Sequence, residues 1–221
     1  MAETSDANPI WIKIHKPSAE FRQQLPDEAI DYGSFIWMPD QALARSAGQR
    51  IERIENPFAI DFAGQTLDPK TATLENRSEW DTSANHAEPD FRLVQFNGPI
   101  KNQWLDELRG AGMQPIQYRH PYSYIVWANA STLTENRSVS QLRWVGELLP
   151  AMRVPEQSRN SSNNHSHTMA LIHAASAEAI VNKLRVAGIT IEIHQPLNTH
   201  FHMLQIEALP ERYLELARIP G

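Results

Sequence analysis

The phrase Arg-x-Ala-Gly occurs three times, as Arg45-Ser46-Ala47-Gly48, Arg109-Gly110-Ala111-Gly112 and Arg185-Val186-Ala187-Gly188. Each copy closes a short stretch readable as a helix and precedes a β-rich run. A proline follows the glycine by nine, nine and eight residues (Pro57, Pro121 and Pro196), and a further apolar run follows each proline. Glycine enters the left-handed conformation cheaply, so it ends helices at the C′ position. One such glycine says little. Three in the same context predict a repeated supersecondary unit. The arginine needs no role beyond its place, because a cation in the last turn suits the helix dipole.

Taken in order, Ile10-Trp11-Ile12-Lys13-Ile14 reads as an edge strand or a leader into one. Tyr32–Met38 reads as a strand, Pro39-Asp40 as the opening of a brief helix to about Ala47, and Ile51–Ile54 as extended chain. Phe58, Ile60 and Phe62 alternate with Ala59, Asp61 and Ala63, the period of a half-buried strand. This predicts an abbreviated β-α-β-β unit over residues 1–68. Residues 69–90 turn polar and lose periodicity, which predicts a linker.

The second unit, 91–154, is the clearest. Phe91–Phe96 is a strand stopped by Asn97-Gly98-Pro99, and Ile100, Trp104, Leu105, Leu108 and Ala111 mark one helix face. Met113–Arg119 and Tyr122–Ala128 are strands joined through His120-Pro121. Ser131–Leu142 predicts a second helix, and Trp144-Val145 a fourth strand. The order β-α-β-β-α-β is ferredoxin-like, with helices on one face of an antiparallel sheet, so each strand needs one apolar face. After a polar linker at 155–167, the third unit occupies 168–221, with Ser176 placed to cap a helix. Ile189, Ile191 and Ile193 give strict strand alternation, His200–Ile206 a further strand and Pro210–Leu216 a short helix. The fourth strand should start at Ile219-Pro220-Gly221, so this unit reads as truncated. The predicted class is α+β: tandem ferredoxin-like units with antiparallel sheets, the first abbreviated and the third truncated. A module of this size buries about 60% of its unfolded surface, so the units should pack on one another.

The chemistry is sparse. No nucleophile elbow, phosphate-binding glycine loop or dinucleotide fingerprint is present, and cysteine is absent, which removes thiol catalysis and Cys-based zinc sites. A formal charge of −6 and the lack of an aromatic-basic strand signature argue against nucleic acid as a partner. No run approaches the ~18 apolar residues of a membrane span. The start, Met1–Asp6, shows neither a basic region nor an apolar core of a signal peptide. The histidines are the one concentration of reactive side chains. His165 and His167 lie in the linker; His200 and His202, two apart on a predicted strand, would share a face as metal ligands could. Without a third ligand they read as structural or surface residues. Trp37, Trp104, Trp127 and Trp144 read as packing rather than a stacking platform. Asn76, Asn129, Asn136, Asn160 and Asn164 each head an Asn-x-Ser tripeptide, relevant only in a secretory eukaryotic setting. No catalytic, cofactor-binding or metal residue is assigned, and no cofactor is expected.

The second unit also carries a family likeness. Phe91–Ile100, the Trp104–Leu108 helix, Ala111-Gly112, Pro121–Val126 and Leu142–Gly146 resemble the N-terminal prodomain of subtilisin-like serine proteases, especially the larger bacterial secreted ones. Ile30–Trp37 and Leu67-Asp68-Pro69 resemble the region ahead of such units, so the likeness spans most of 30–219. It implies a non-catalytic pro-region that serves as intramolecular chaperone and temporary inhibitor, with the subtilisin-like catalytic domain as partner, in cis or in trans. It also implies an extracellular or cell-envelope setting. The family's protease motifs are absent from these residues, so the chain reads as a fragment, an excised pro-region or a stand-alone relative. The other expectation from the sequence is a tandem ferredoxin-like small-molecule sensor or an interaction scaffold.

Overall fold

A computed structural model describes residues 9–40, 50–62, 65–71, 80, 87–135, 139–159 and 167–221. The class is α+β: several small antiparallel sheets with few, short helices. The chain divides into two compact units, 1–59 and 60–221.

In the first unit, β1 (Ile10–His15), α1 (Ala19–Arg22), β2 (Ile30–Asp31), β3 (Phe35–Pro39) and β4 (Ile51–Glu55) form a sheet ordered β2-β3-β1-β4. Every pairing is antiparallel, with Ile12 opposite Met38 and Ile14 opposite Ile36. Those four side chains share a buried cluster with Phe21 of α1. The Ser18 hydroxyl fixes the start of that helix by accepting the Phe21 N–H at 3.1 Å. On the other face Trp11 stacks on Trp37 at 5.3 Å and meets Phe58 edge-on at 5.2 Å. Ile10–Ile14 is not an edge or a leader: it is a central strand, because Ile12 and Ile14 need cover that two neighbouring strands and α1 provide. The Tyr32–Met38 segment therefore supplies the third strand, not the first. The helix expected up to Ala47, with the first Arg-x-Ala-Gly copy, lies outside the described residues.

The second unit opens with a hairpin, β5 (Ile60–Phe62) on β6 (Gln65–Leu67). Residues 60–68 thus fall with the later chain, ahead of the boundary read at 68, because Ile60 is buried with Phe91, Leu93, Ile125 and Leu148. Next come β7 (Asp90–Phe96), α2 (Asn102–Gly110), β8 (Gln114–Arg119), β9 (Ser123–Ala128), α3 (Ala130–Glu135) and β10 (Leu142–Glu147). Their antiparallel sheet is ordered β10-β7-β9-β8. Phe96 stacks on Trp104 of α2 at 5.5 Å. The glycine reading holds at Gly112, which has a φ of +77°. Its N–H donates to the Arg109 carbonyl at 3.0 Å, and the Met113 N–H reaches back to the Leu108 carbonyl at 2.9 Å. This is a Schellman closure. The expectation of a single apolar face fails for this sheet: β7 is buried at every residue. Its second face is covered by Ile60, Leu148, Phe201 and Met152 of α4 (Pro150–Arg153).

After the short helix α5 (Glu156–Arg159), the third sheet is built from β11 (His167–His173), β12 (Thr190–Pro196) and β13 (Phe201–Glu207), ordered β11-β13-β12 and antiparallel. Two helices, α6 (Ala177–Val186) and α7 (Tyr213–Ala217), complete it. Ile180, Val181 and Leu184 of α6 bury against Ile172, Leu204 and Ile206. Gly188 repeats the closure at a φ of +76°, with Gly188 N–H to Arg185 at 3.0 Å and Ile189 N–H to Leu184 at 3.0 Å. Ser176 makes no side-chain cap bond. A single tight turn at Ala174–Ser176 precedes the helix, and the His173 ring accepts the Ala175 N–H there at 3.3 Å.

Candidate interaction site

Within the second compact unit, a cleft of about 410 Å³ runs beside β11. Five successive residues of that strand, Thr168–Ile172, line it. On one side stand Phe91, Ile125, Leu148 and Phe201, which belong to the second face of the β7 sheet and its cover. On the other stand Ile180 and Leu184 of α6 with Tyr213 and Leu216 of α7, the margin of the third sheet's own core. The cleft lies along the side of β11 away from β13, where no strand is paired among the described residues.

Two lining residues, Arg153 and Gly221, belong to a polar knot. Asp90 is buried and accepts three donors: the Phe91 N–H at 2.7 Å, the Gly221 N–H at 2.8 Å and Arg153 Nη2 at 2.6 Å. Arg153 also donates from Nε to the Leu148 carbonyl at 2.8 Å and from Nη1 to the Ile219 carbonyl at 3.3 Å. Each bond answers a group that burial would otherwise leave unpaired, so the knot fixes residues 219–221 against the start of β7. The Gly221 carbonyl then accepts the His173 N–H at 2.8 Å. Among the lining residues, Arg119 and Arg153 carry charge and none is a carboxylate.

His173 sits at the junction of the two sheets, 4% exposed. Its ring stacks on Trp127 at 3.9 Å with 4° between planes, and meets Phe91 edge-on. Because Nδ1 accepts the Ala175 N–H, the neutral ring carries its proton on Nε2, which is buried without a hydrogen-bond partner among the described residues. Burial, with a smaller contribution from His200, holds its pKa below the ordinary histidine value.

The histidines singled out from sequence are not brought together as ligands. His200 precedes β13, and its Nδ1 lies 3.2 Å from Gln114 Nε2. His202 on β13 instead meets His194 of β12, Nδ1 to Nε2 at 2.9 Å. His167 pairs with Glu192 at 3.1 Å on the surface, and His165 lies outside the described residues. Among the described residues no group of three or more metal-ligating side chains forms. Trp37 and Trp104 are buried, Trp127 and Trp144 half-buried. Asn129 is exposed at the β9–α3 junction; Asn76, Asn136, Asn160 and Asn164 lie outside the described residues. Among the described residues no helix is long and apolar enough to cross a membrane. Sequence reasoning missed Asp90, Arg153 and His173, and single-chain patterning carries no signal for a knot closed across 131 residues of chain.

Residues 61–149, from the hairpin through the end of the second sheet, match a family described as a domain of unknown function (DUF8729). No curated protein and no solved structure matches the chain.

Proposed function

We propose that the chain is a non-catalytic protein-binding module, the pro-region of a subtilisin-like serine protease, acting as folding chaperone and temporary inhibitor in cis or in trans. Its sheets are read as tandem ferredoxin-like units. The observation that carries the reading is the strand order. Counting strands within each unit, both β4-β1-β3-β2 and β10-β7-β9-β8 run 4-1-3-2, and β11-β13-β12 runs 1-3-2. That order accords with the split β-α-β arrangement, in which the first strand lies between the third and the fourth. A preformed sheet surface of this kind can lower the barrier to folding of a partner by stabilising its transition state. The test adds the purified chain to a panel of secreted bacterial subtilisins, each unfolded and stripped of its own pro-region. Faster recovery of activity, or slow-tight inhibition of the folded enzyme, is the expected result. Absence of both effects across the panel would remove the protease from the proposal.

A second reading has its own observation. The cleft beside β11 has a volume within the roughly 300–1,000 Å³ range of small-ligand sites and a mostly apolar lining with two arginines. A sensor for a small apolar carboxylate would fit it, and a rise in melting temperature on adding such compounds would favour the sensor over the pro-region.

A further inference from the structure

We propose that His194 and His202 form a two-imidazole chelate for a divalent transition-metal ion of tetragonal preference, copper(II) before nickel(II) or zinc. The site goes beyond the protein-binding reading above, and its test does not depend on that reading.

The first ground is where the backbone sends these two side chains. Residues directly opposite each other on neighbouring strands share a face of the sheet. His194 of β12 lies opposite Leu204, and His202 of β13 lies opposite Ile172 of β11. Leu204 and Ile172 are buried in the core that α6 helps to form, so both imidazoles stand on that face, half-buried at its margin. Across the β12–β13 pair they are diagonal neighbours, because His202 itself faces Pro196. Long side chains bridge that diagonal. His194 Nε2 and His202 Nδ1 come to 2.9 Å.

The second ground is a departure from regular pairing that creates this contact. Ile191 lies opposite Ile206 and Ile193 opposite Gln205, so Glu192 is an extra residue in β12. In unbroken register Ile193 would lie opposite Leu204 and face the core, as the alternation from Ile189 predicts. The bulge instead turns Ile193 outward, 41% exposed, and gives the inward place to His194. Bulges re-aim side chains in this way beside functional sites. Here apolar burial is given up, and an imidazole is placed beside a second imidazole.

The third ground decides the class of ion. Imidazole nitrogens lie about 2.0–2.1 Å from a bound ion, so two at adjacent corners of a square or octahedron are about 2.9 Å apart, and two on a tetrahedron about 3.3 Å. The observed separation of 2.9 Å matches the first arrangement. The rings, with centres 5.1 Å apart and planes at 43°, point at each other and share the proton that an ion would replace. To meet an ion each lone pair leaves the line between the nitrogens by about 45°, a turn available to the soft χ2 torsion of histidine. Water completes the remaining positions, and copper(II) heads the affinity order for such nitrogen ligands.

The experiment titrates the full chain with copper(II), nickel(II) and zinc by calorimetry near neutral pH, and records the electron paramagnetic resonance spectrum with one equivalent of copper. One tight copper site with coupling to two imidazole nitrogens is expected. His194→Gln and His202→Gln each remove one arm and should weaken it by about a hundredfold, the loss of a linked second ligand. His167→Gln and His200→Gln should leave it unchanged. Circular dichroism checks that each variant folds. Where one does not, paramagnetic broadening in the wild type decides, with the ring signals of His194 and His202 lost ahead of those of the other histidines. Four results overturn the proposal: no copper bound at submillimolar concentration, an affinity indifferent to both substitutions, coupling to one imidazole alone, or zinc held more tightly than copper.

Discussion

The β7 sheet and the β11 sheet sit in one compact unit and share an order of elements, yet they solve burial differently. β7 has a strand on each side and cover on both faces, so it is buried end to end. Among the described residues β11 has one strand neighbour, and Met169 and Leu171 stay exposed. The difference teaches that a repeated chain order fixes strand neighbours without fixing how deeply each strand is buried. Among the described residues, the short stretch 219–221 substitutes for a second strand neighbour at the end of β11, pinned by Asp90 and Arg153.

That substitution can be broken first at Asp90. Asp90→Ala removes the acceptor for Gly221 and leaves the Arg153 guanidinium, 16% exposed, facing no carboxylate. Removing one partner of a largely buried ion pair costs about 3–5 kcal/mol, so urea unfolding should show a loss near that size. The counterpart in the β7 sheet is Asp68, which pairs with Arg143 through two bonds at 2.6 and 2.7 Å. Asp68→Ala should destabilise to a similar degree but leave residues 219–221 in place. Equal protection of the Gly221 amide from hydrogen exchange in the wild type and in Asp90→Ala would show that the knot does not hold the tail.

A smaller effect sharpens the likeness between the sheets. Gly112 and Gly188 close α2 and α6 with φ near +77°, and a methyl group at either meets no backbone or contact closer than 3.6 Å. The cost of Gly→Ala is therefore conformational strain alone, about 1–2 kcal/mol at each site. Denaturant midpoints should move by similar amounts in the two variants. A loss at one site and none at the other would mean that the two helix ends are not energetic equivalents.

These two glycines were legible from sequence because a Schellman closure is a local event, written within six residues. The middle sheet was legible for a related reason: its strands and α2 are long enough to show a period. The first sheet was not. α1 has four residues and β2 has two, too few for periodicity, so the frame slipped onto the more conspicuous Arg45–Gly48 phrase. That phrase follows the third strand of its unit, whereas Arg109 and Arg185 lie in the last turn of the first helix of theirs. The cleft was invisible for a deeper reason. It lies where β11 has no second strand neighbour among the described residues and where residues 91–158 meet residues 168–221, and neither condition leaves a pattern in one strand's residues.

The smallest expected effect concerns the junction between the sheets. His173 is neutral and buried, with a pKa below its ordinary 6.5 caused first by burial and then by His200. In the unfolded chain the same ring titrates near 6.5. Above that pH both states are neutral and the residue adds no pH dependence. As pH falls below it, the unfolded chain binds a proton that the folded ring resists, so stability drops until the folded pKa is reached and then levels off. His173→Phe keeps an aromatic ring beside Trp127 and removes the titration. It should cost stability at neutral pH, through loss of the Ala175 cap, yet flatten the decline between pH 7 and 5 relative to the wild type. Chemical denaturation at several pH values measures it, and parallel profiles would show that the stacked ring is protonated as readily folded as unfolded.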